Sequence, residues 1–312
     1  STNTPPLQAS PAAITKAVLS FPSGSAAGPD GLRPQHLKDL LLGAADNDPL
    51  LAAVTDLTNL MLEGKTPLSV CSTIFGATLL AIAKKNGGIR PIAVGYVWRR
   101  LTAKVACSYV KEASAAKLAP TQLGFGIQGG AEAAVRAARR YLENMDREQV
   151  FVKIDFRNAF NTLRRDSILE AVAKHFPELL PFTISSIGSP SNLQFGDYML
   201  SSDEGAQQGD PLGPLYFCLA FIELLQSLKS ELTLGYLDDV AMGGDAKTVL
   251  EDFLHLEATA KEFGLELNRS KCEVVGHTEE TRRLFATQNI ILPETSMSSV
   301  ILLGAPLSAG QH

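Results

Sequence analysis

Residues 232–244 read LTLGYLDDVAMGG, two short apolar runs on either side of Asp238 and Asp239. The pattern predicts a pair of short strands joined at an Asp-Asp turn. Upstream, residues 149–155 read QVFVKID and predict another apolar strand, ending at Asp155. An acid at the exposed end of a buried strand is costly to desolvate unless something neutralises it. Aspartate is common in hairpin turns, so a single such residue is ordinary. Two adjacent aspartates repel each other, and a bound divalent cation relieves that repulsion. Carboxylate oxygens suit Mg²⁺, which also keeps open positions for water or phosphate. If the two strands lie side by side, Asp155 and Asp238 can share a pair of ions, spaced about 3.5–4 Å in two-metal phosphoryl-transfer sites. The spacing alone does not name the reaction.

Outward from this pair the chain reads as a mixture of helices and strands. The 312 residues are 45% hydrophobic and 20% charged, enough to bury a sizeable core, which excludes a mostly disordered chain. Residues 1–12, with Thr4-Pro5-Pro6 and Pro11, read as a flexible arm. Short helices are expected over Ala13 to Leu19, in PQHLKDLLLGA from Pro34, and from Leu51 to Leu62. Residues 77–94 predict a β-hairpin turning at Asn86-Gly87-Gly88. Further helices are expected from Ala131 to Asn144, in DSILEAVAKHF with Asp166 or Ser167 as N-cap, from Asp210-Pro211 onward, and from Ala246 to Phe263 before Gly264. CEVVG and SVILLGAPL predict the last two strands. Without strict βαβ alternation the class is α+β. Four scattered cysteines with no CxxC pair argue against a zinc site or disulfide framework. No apolar run approaches the roughly 20 residues that span a bilayer, so no membrane partner is expected. The start at Ser1 without Met and the end at SAGQH read as a piece of something longer.

Eight motifs follow one another in a recognisable order. They are GPDGLRPQHL (28–37), AIAKKNGGIRPIAV (81–94), QLGFGIQGG (122–130), VFVKIDFRNAFNTL (150–163), GAQQGDPLGPLYFCLAF (205–221), YLDD (236–239), GLELNRSKCEVV (264–275) and ILLGAPL (301–307). This series resembles the reverse transcriptases of non-LTR (LINE-type) retrotransposons, with some likeness to group II intron enzymes. It implies a right-hand polymerase core of fingers and palm, an antiparallel palm sheet backed by helices, and a thumb that is apparently missing. Fingers would be residues 13–103 and 164–208, palm 104–163 and 209–299, and 300–312 a primer-grip segment at a truncated end.

The resemblance also implies roles. Asp155 and Asp238 become the principal metal ligands, Asp239 the third carboxylate, and the Phe156 main-chain oxygen a further metal contact. Phe160 matches the aromatic gate that clashes with a ribose 2′-OH; its plainer reading is a core aromatic. Gln208-Gly209 matches the pair that packs on the incoming nucleotide, and Gln207 stands where relatives often have Pro. Arg90 matches the residue that clamps the triphosphate, with Lys84 or Lys85 assisting; the plainer reading is solvated hairpin charge. Lys271 matches a lysine near the leaving pyrophosphate, a proton donor, or else a surface lysine on a strand edge. The cofactor implied is Mg²⁺, two ions, with Mn²⁺ as an alternative. The partners are an RNA template, a DNA primer and dNTPs, with a thumb or other flanking domains in the full-length protein. The location implied is an intracellular ribonucleoprotein, nuclear or cytoplasmic.

The net charge of −5 and pI of about 5.6 pull mildly against nucleic-acid binding. Against that, Lys84, Lys85, Arg90, Arg99, Arg100, Lys104 and Lys111 occur with no Asp or Glu between them. The expectation is RNA-directed DNA polymerase activity with weak, salt-sensitive binding by this chain alone. Two rivals stand beside it. One is a domesticated or truncated domain with a nucleic-acid-binding or scaffolding role, against which the intact acids, Gln208 and Arg90 argue. The other is an RNA-dependent RNA polymerase, against which Phe160 and Tyr236-Leu237-Asp238-Asp239 argue.

Overall fold

Helices and strands interleave without βαβ alternation, so the α+β expectation holds. The structure, a computed structural model, describes residues 4–42, 48–83 and 87–308. In chain order the first elements are α1 (Pro11–Leu19), α2 (Pro34–Leu41), α3 (Pro49–Leu62), α4 (Leu68–Ile74), β1 (Ala77–Ala83), β2 (Ile89–Gly95), α5 (Val97–Leu118) and α6 (Gly130–Asn144). Next come β3 (Gln149–Ile154), α7 (Ala159–Thr162), α8 (Arg165–His175), α9 (Leu180–Ile187), β4 (Ser191–Phe195) and β5 (Tyr198–Ser202). The chain continues through α10 (Gly213–Ser227), β6 (Leu232–Tyr236), β7 (Asp239–Asp245), α11 (Ala246–Ala260), β8 (Glu273–Val275), α12 (Glu279–Thr287), β9 (Ile301–Leu302) and β10 (Ala305–Pro306). Two compact units result: Ser1–Lys111 with Leu163–Tyr216, and Glu112–Thr162 with Phe217–His312.

In the first unit, proline and polar caps start the helices. Ser10 accepts from the Ala13 N–H ahead of α1, and Asp48 from Leu50 and Leu51 ahead of α3. The N-terminal stretch read as flexible is held over residues 7–9. Leu7 is buried and its N–H donates to the Glu178 carbonyl, while Asn59 exchanges hydrogen bonds with both backbone groups of Ala9. Strands β1 and β2 form the expected antiparallel hairpin, Ala77 opposite Gly95 and Ala83 opposite Ile89. Its tip, with Lys84, Lys85 and Asn86, lies outside the described residues. The hairpin belongs to a sheet of order β2-β1-β4-β5, in which β1 pairs with β4 in parallel.

Helices α1, α3 and α6 start one or two residues ahead of the sequence reading, and α8 and α10 start away from the N-caps it names. Helix α8 begins at Arg165 with Arg164 at the N-cap, and the Asp166 carboxylate lies inside the first turn, engaged by the Arg164 guanidinium. Helix α10 begins at Gly213 rather than at Pro211. Asp210 still accepts from the Leu212 N–H at 3.0 Å, but its other oxygen is taken by Arg99.

In the second unit four strands pair antiparallel throughout, in the order β6-β7-β3-β8. Side chains alternate across the sheet. On one face Phe151, Leu234, Ala241 and Val275 meet Ala134, Val135, Ala138, Tyr141 and Leu142 of α6. On the other, Val150, Val152, Ile154, Val240 and Met242 are buried, and α11 packs across β3 and β7. Each such aliphatic side chain stabilises the fold by about 1.5–3 kcal/mol. Helix α11 runs into a 3₁₀ turn and stops at Gly264, whose φ of 79° places it in the left-handed region. The final strand expected from SVILLGAPL is instead the short hairpin β9–β10, turning through Leu303 and Gly304. Val300, Leu302 and Leu307 bury themselves in the α6 core, and the Arg139 guanidinium donates to the Pro306 carbonyl.

Candidate active site

The sheet register brings two of the three acids together. Ile154 pairs with Val240, and the next step of that ladder sets Asp155 against Asp239. Alternation puts Phe151, Lys153 and Asp155 on one face of β3. The Phe151 end of that face lies under α6. At the other end Lys153, Ile154, Asp155, Asp239, Ser270, Lys271 and Glu273 line an open cleft of about 360 Å³.

Asp238 occupies the turn itself. Tyr236 pairs with Asp239, leaving Leu237 and Asp238 as the two turn residues, with Leu237 at φ 56°. A non-glycine residue in the first turn position with positive φ is strained backbone. Loss of hydration against the cleft wall, then the charges of Asp238 and Asp155, push the Asp239 carboxyl up to about 6, against the lowering pull of Lys153. The Asp239 side chain still meets solvent at the cleft mouth, so screening tempers the repulsion. Lys153 is itself paired with Glu273 at 2.8 Å, and Glu273 also accepts from the Thr295 hydroxyl at 2.9 Å.

The segment before β8 backs Asp155. The Asn268 N–H donates to the Asp155 carbonyl at 2.8 Å, and the Asp155 N–H reaches the buried Cys272 sulfur at 3.4 Å. The chain then turns, the Lys271 N–H donating to the Asn268 carbonyl at 2.8 Å. Lys271 therefore sits exposed on a turn beside the cleft, rather than on a strand edge. The turn is anchored by a two-point ion pair of Arg269 with Glu257, both bonds at 2.6 Å.

Phe156 and Phe160 lie just beyond Asp155. Phe156 is buried edge-on against Phe221, ring centroids 5.5 Å apart. The bonds tying Asp155 and Arg157 to residues 266–268 do not use the Phe156 carbonyl oxygen. Phe160 is half-buried and stacked on Phe217 at 5.0 Å, held by a turn through Asn158 at φ 48°.

The remaining candidates belong to the first unit. The Gln208 carbonyl accepts from the Ala93 N–H at 2.7 Å. Gly209, at φ 121°, lies so close to that strand that a Cβ would sit 2.3 Å from the Ala93 oxygen. Gln208-Gly209 is thus pinned to β2, the strand that carries the exposed Arg90. Lys84 and Lys85 fall outside the described residues.

A buried network holding this segment was not read as functional from the sequence. Arg99 pairs with Asp210 at 2.6 Å and donates to Gln207 Oε1 at 2.6 Å and to the Phe75 carbonyl. Gln207 in turn donates to Ser191 Oγ at 3.0 Å. That is the structural use of glutamine at 207, which a proline could not supply.

Residues 82–304 match the family described as Reverse transcriptase (RNA-dependent DNA polymerase). The chain belongs to the reverse transcriptase family. Among its relatives is the retrotransposable element SLACS 132 kDa protein of Trypanosoma brucei gambiense. The two are 29% identical over 271 residues, 83% of this chain and 22% of the relative. Another is the retrovirus-related Pol polyprotein from type-2 retrotransposable element R2DM of Drosophila melanogaster, 28% identical over 285 residues, 81% of this chain and 25% of the relative. The chain thus spans about a quarter of the length of these curated relatives. A solved apo telomerase from Candida tropicalis, truncated from the C-terminal domain, superposes over 64% of this chain and 49% of its own, with a TM-score of 0.47 and 15% identity.

Polymerases of the reverse transcriptase family use divalent metal ions. Among the described residues no three His, Cys, Asp or Glu side chains, Asp155, Asp238 and Asp239 included, are gathered so that they could hold a metal ion together. The donor set still fits a hard cation of the Mg²⁺ kind, which is held by one or two carboxylates together with water and substrate phosphate rather than by an all-protein cage. Asp155 and Asp239 face one open cleft, where loss of hydration first and the charge of Asp238 next raise the Asp239 carboxyl. Also among the described residues, no helix is long and apolar enough to cross a membrane.

Proposed function

We propose that this chain is an RNA-directed DNA polymerase core that extends a DNA primer by copying an RNA template, within a non-LTR retroelement protein. The single observation that carries this reading is the register setting Asp155 against Asp239 at the open end of an antiparallel sheet, beside the turn that holds Asp238. In it residues 13–103 and 164–208 are the fingers, 104–163 and 209–299 the palm, and 300–312 the primer-grip segment. Two Mg²⁺ ions, with Mn²⁺ as substitute, would acidify the primer 3′-OH and neutralise charge on the leaving pyrophosphate. Asp155, Asp238 and Asp239 are their ligands, with the Phe156 carbonyl oxygen.

The chain's own residues position the reactants and stabilise charge. Gln208-Gly209 packs on the incoming dNTP. Arg90 grips its triphosphate by planar multi-point hydrogen bonds, with Lys84 and Lys85 assisting as point charges. Phe160, backed by Phe217, excludes a ribose 2′-OH. Lys271, exposed at the cleft, protonates the leaving pyrophosphate. The thumb and other flanking domains of a longer protein hold the duplex, in a nuclear or cytoplasmic ribonucleoprotein.

Primer extension on an RNA template with dNTPs and Mg²⁺ tests the reading, with Asp238→Asn as control. Extension by the wild-type chain that disappears in the variant is expected. Wild-type protein that binds the template and primer without extending it leaves the binding-only role in its place.

A further inference from the structure

Gln122 opens the QLGFGIQGG segment and has no part in the roles above. It is wholly buried in the second unit, 0% exposed. Its carboxamide grips the acidic turn on both sides of Leu237. Oε1 accepts from the Leu237 N–H at 2.9 Å and from the Gly124 N–H at 3.0 Å, and Nε2 donates to the Leu237 carbonyl at 3.1 Å. The network fixes the amide's orientation, since a flipped group would set its NH₂ against two N–H donors.

The approach is built into the backbone. The Leu123 N–H donates to the Gly235 carbonyl and the Gly235 N–H to the Thr121 carbonyl, both at 2.7 Å. A Cβ at Gly235 would lie 2.8 Å from Gln122 Nε2, so glycine there admits the amide. The turn of a two-residue hairpin normally has its central peptides hydrated. Here both peptide planes flanking Leu237 are held from inside the protein, and that residue sits at φ 56°. The next residue is Asp238. Those planes set the direction in which the Asp238 and Asp239 side chains leave the backbone. Only a carboxamide of this length supplies a strong acceptor and a donor together; methionine has no donor and only a weakly accepting sulfur, and glutamate loses the donor.

We propose that Gln122 is a positioning residue that locks the Tyr236–Asp239 turn, so that Asp238 and Asp239 meet the metal ions in one geometry. The proposal rests on the polymerase reading of that turn. The full chain carrying Gln122→Met or Gln122→Glu tests it by three measurements. Amide hydrogen exchange of the metal-free protein should speed up in residues 235–240 of Gln122→Met while β3 and α6 stay protected. The Mn²⁺ concentration that half-saturates the protein should rise. The kcat for dNTP addition should fall by about a hundredfold, the effect of misplacing reacting groups by about 1 Å, with KM for dNTP unchanged. Gln122→Glu, which keeps both accepted bonds, should fall between wild type and Gln122→Met in exchange rate. Wild-type exchange at the turn and wild-type Mn²⁺ half-saturation in a folded Gln122→Met protein would overturn the proposal. Should that variant not fold, the same two readings on Gln122→Glu decide. A wild-type chain that adds no dNTP would remove the polymerase reading while the exchange comparison still reports on the lock.

Discussion

Asp210 and Asp239 each belong to a tight turn, and their surroundings are opposite. Asp210 is 6% exposed and faces the guanidinium of Arg99, itself 2% exposed, at 2.6 Å. That arginine also holds Gln207 and the Phe75 carbonyl, so one buried cation ties the 207–210 segment to α4 and α5. Asp239 instead has Asp238 and Asp155 as its charged neighbours, and Lys153, the nearby cation, is shared with Glu273. A carboxylate paired in the interior fixes backbone. Carboxylates left facing one another on an open cleft keep their charge available for a ligand. The first arrangement serves stability and position, the second serves binding in the function proposed above, and on that reading the two respond differently to mutation.

Neutralising an acid of the open set should cost function and little else. Asp155→Asn should lower dNTP addition by about a thousandfold or more, as loss of a principal charge-stabilising group does. Its thermal unfolding midpoint without metal should stay level or rise, because a like-charge neighbour has been removed. Breaking the closed set should do the reverse. Asp210→Ala leaves the Arg99 charge buried and unpaired, and urea unfolding should show a loss of about 3–5 kcal/mol. Replacing both partners, Arg99→Met with Asp210→Leu, should recover most of that loss; a double variant as unstable as the single one would deny that the pair is the cause.

Smaller effects sharpen the contrast. Lys271→Ala removes a cation from the cleft without touching its acids, and single-turnover addition should slow by about a hundredfold, the usual range for a lost general acid. An unchanged rate would make Lys271 a surface lysine. Phe160→Ala should narrow the preference for dNTP over rNTP by about tenfold in competing incorporation assays. Preference held at the wild-type value would leave Phe160 as the packing partner of Phe217 and nothing more.

The open set was legible because its signals are local. Apolar runs in residues 149–155 and 232–244 are enough to place Asp155 and the Asp238-Asp239 turn at strand ends, but they pair Asp155 with Asp238, whereas the register sets it against Asp239. Helix α5 carries a legible signal too: buried Val97, Leu101, Val105, Ala106, Val110 and Leu118 recur at helical spacing, interleaved with the basic residues Arg99, Arg100, Lys104 and Lys111. Strands β4 and β5 offered less, since Phe195, Tyr198, Met199 and Leu200 are exposed and no apolar alternation marks them. The closed set and the turn lock could not be read at all. Arg99 meets Asp210 across 111 positions and Gln122 meets Leu237 across 115, and nothing near any of these residues names its partner.

Mn²⁺ binding to the nucleic-acid-free chain, followed by electron paramagnetic resonance, reaches the main point most directly. Wild-type protein should hold Mn²⁺ that Mg²⁺ displaces, and both Asp155→Asn and Asp239→Asn should lose it while remaining folded. Equal Mn²⁺ uptake by the wild type and both variants would mean that the facing carboxylates are not the metal site.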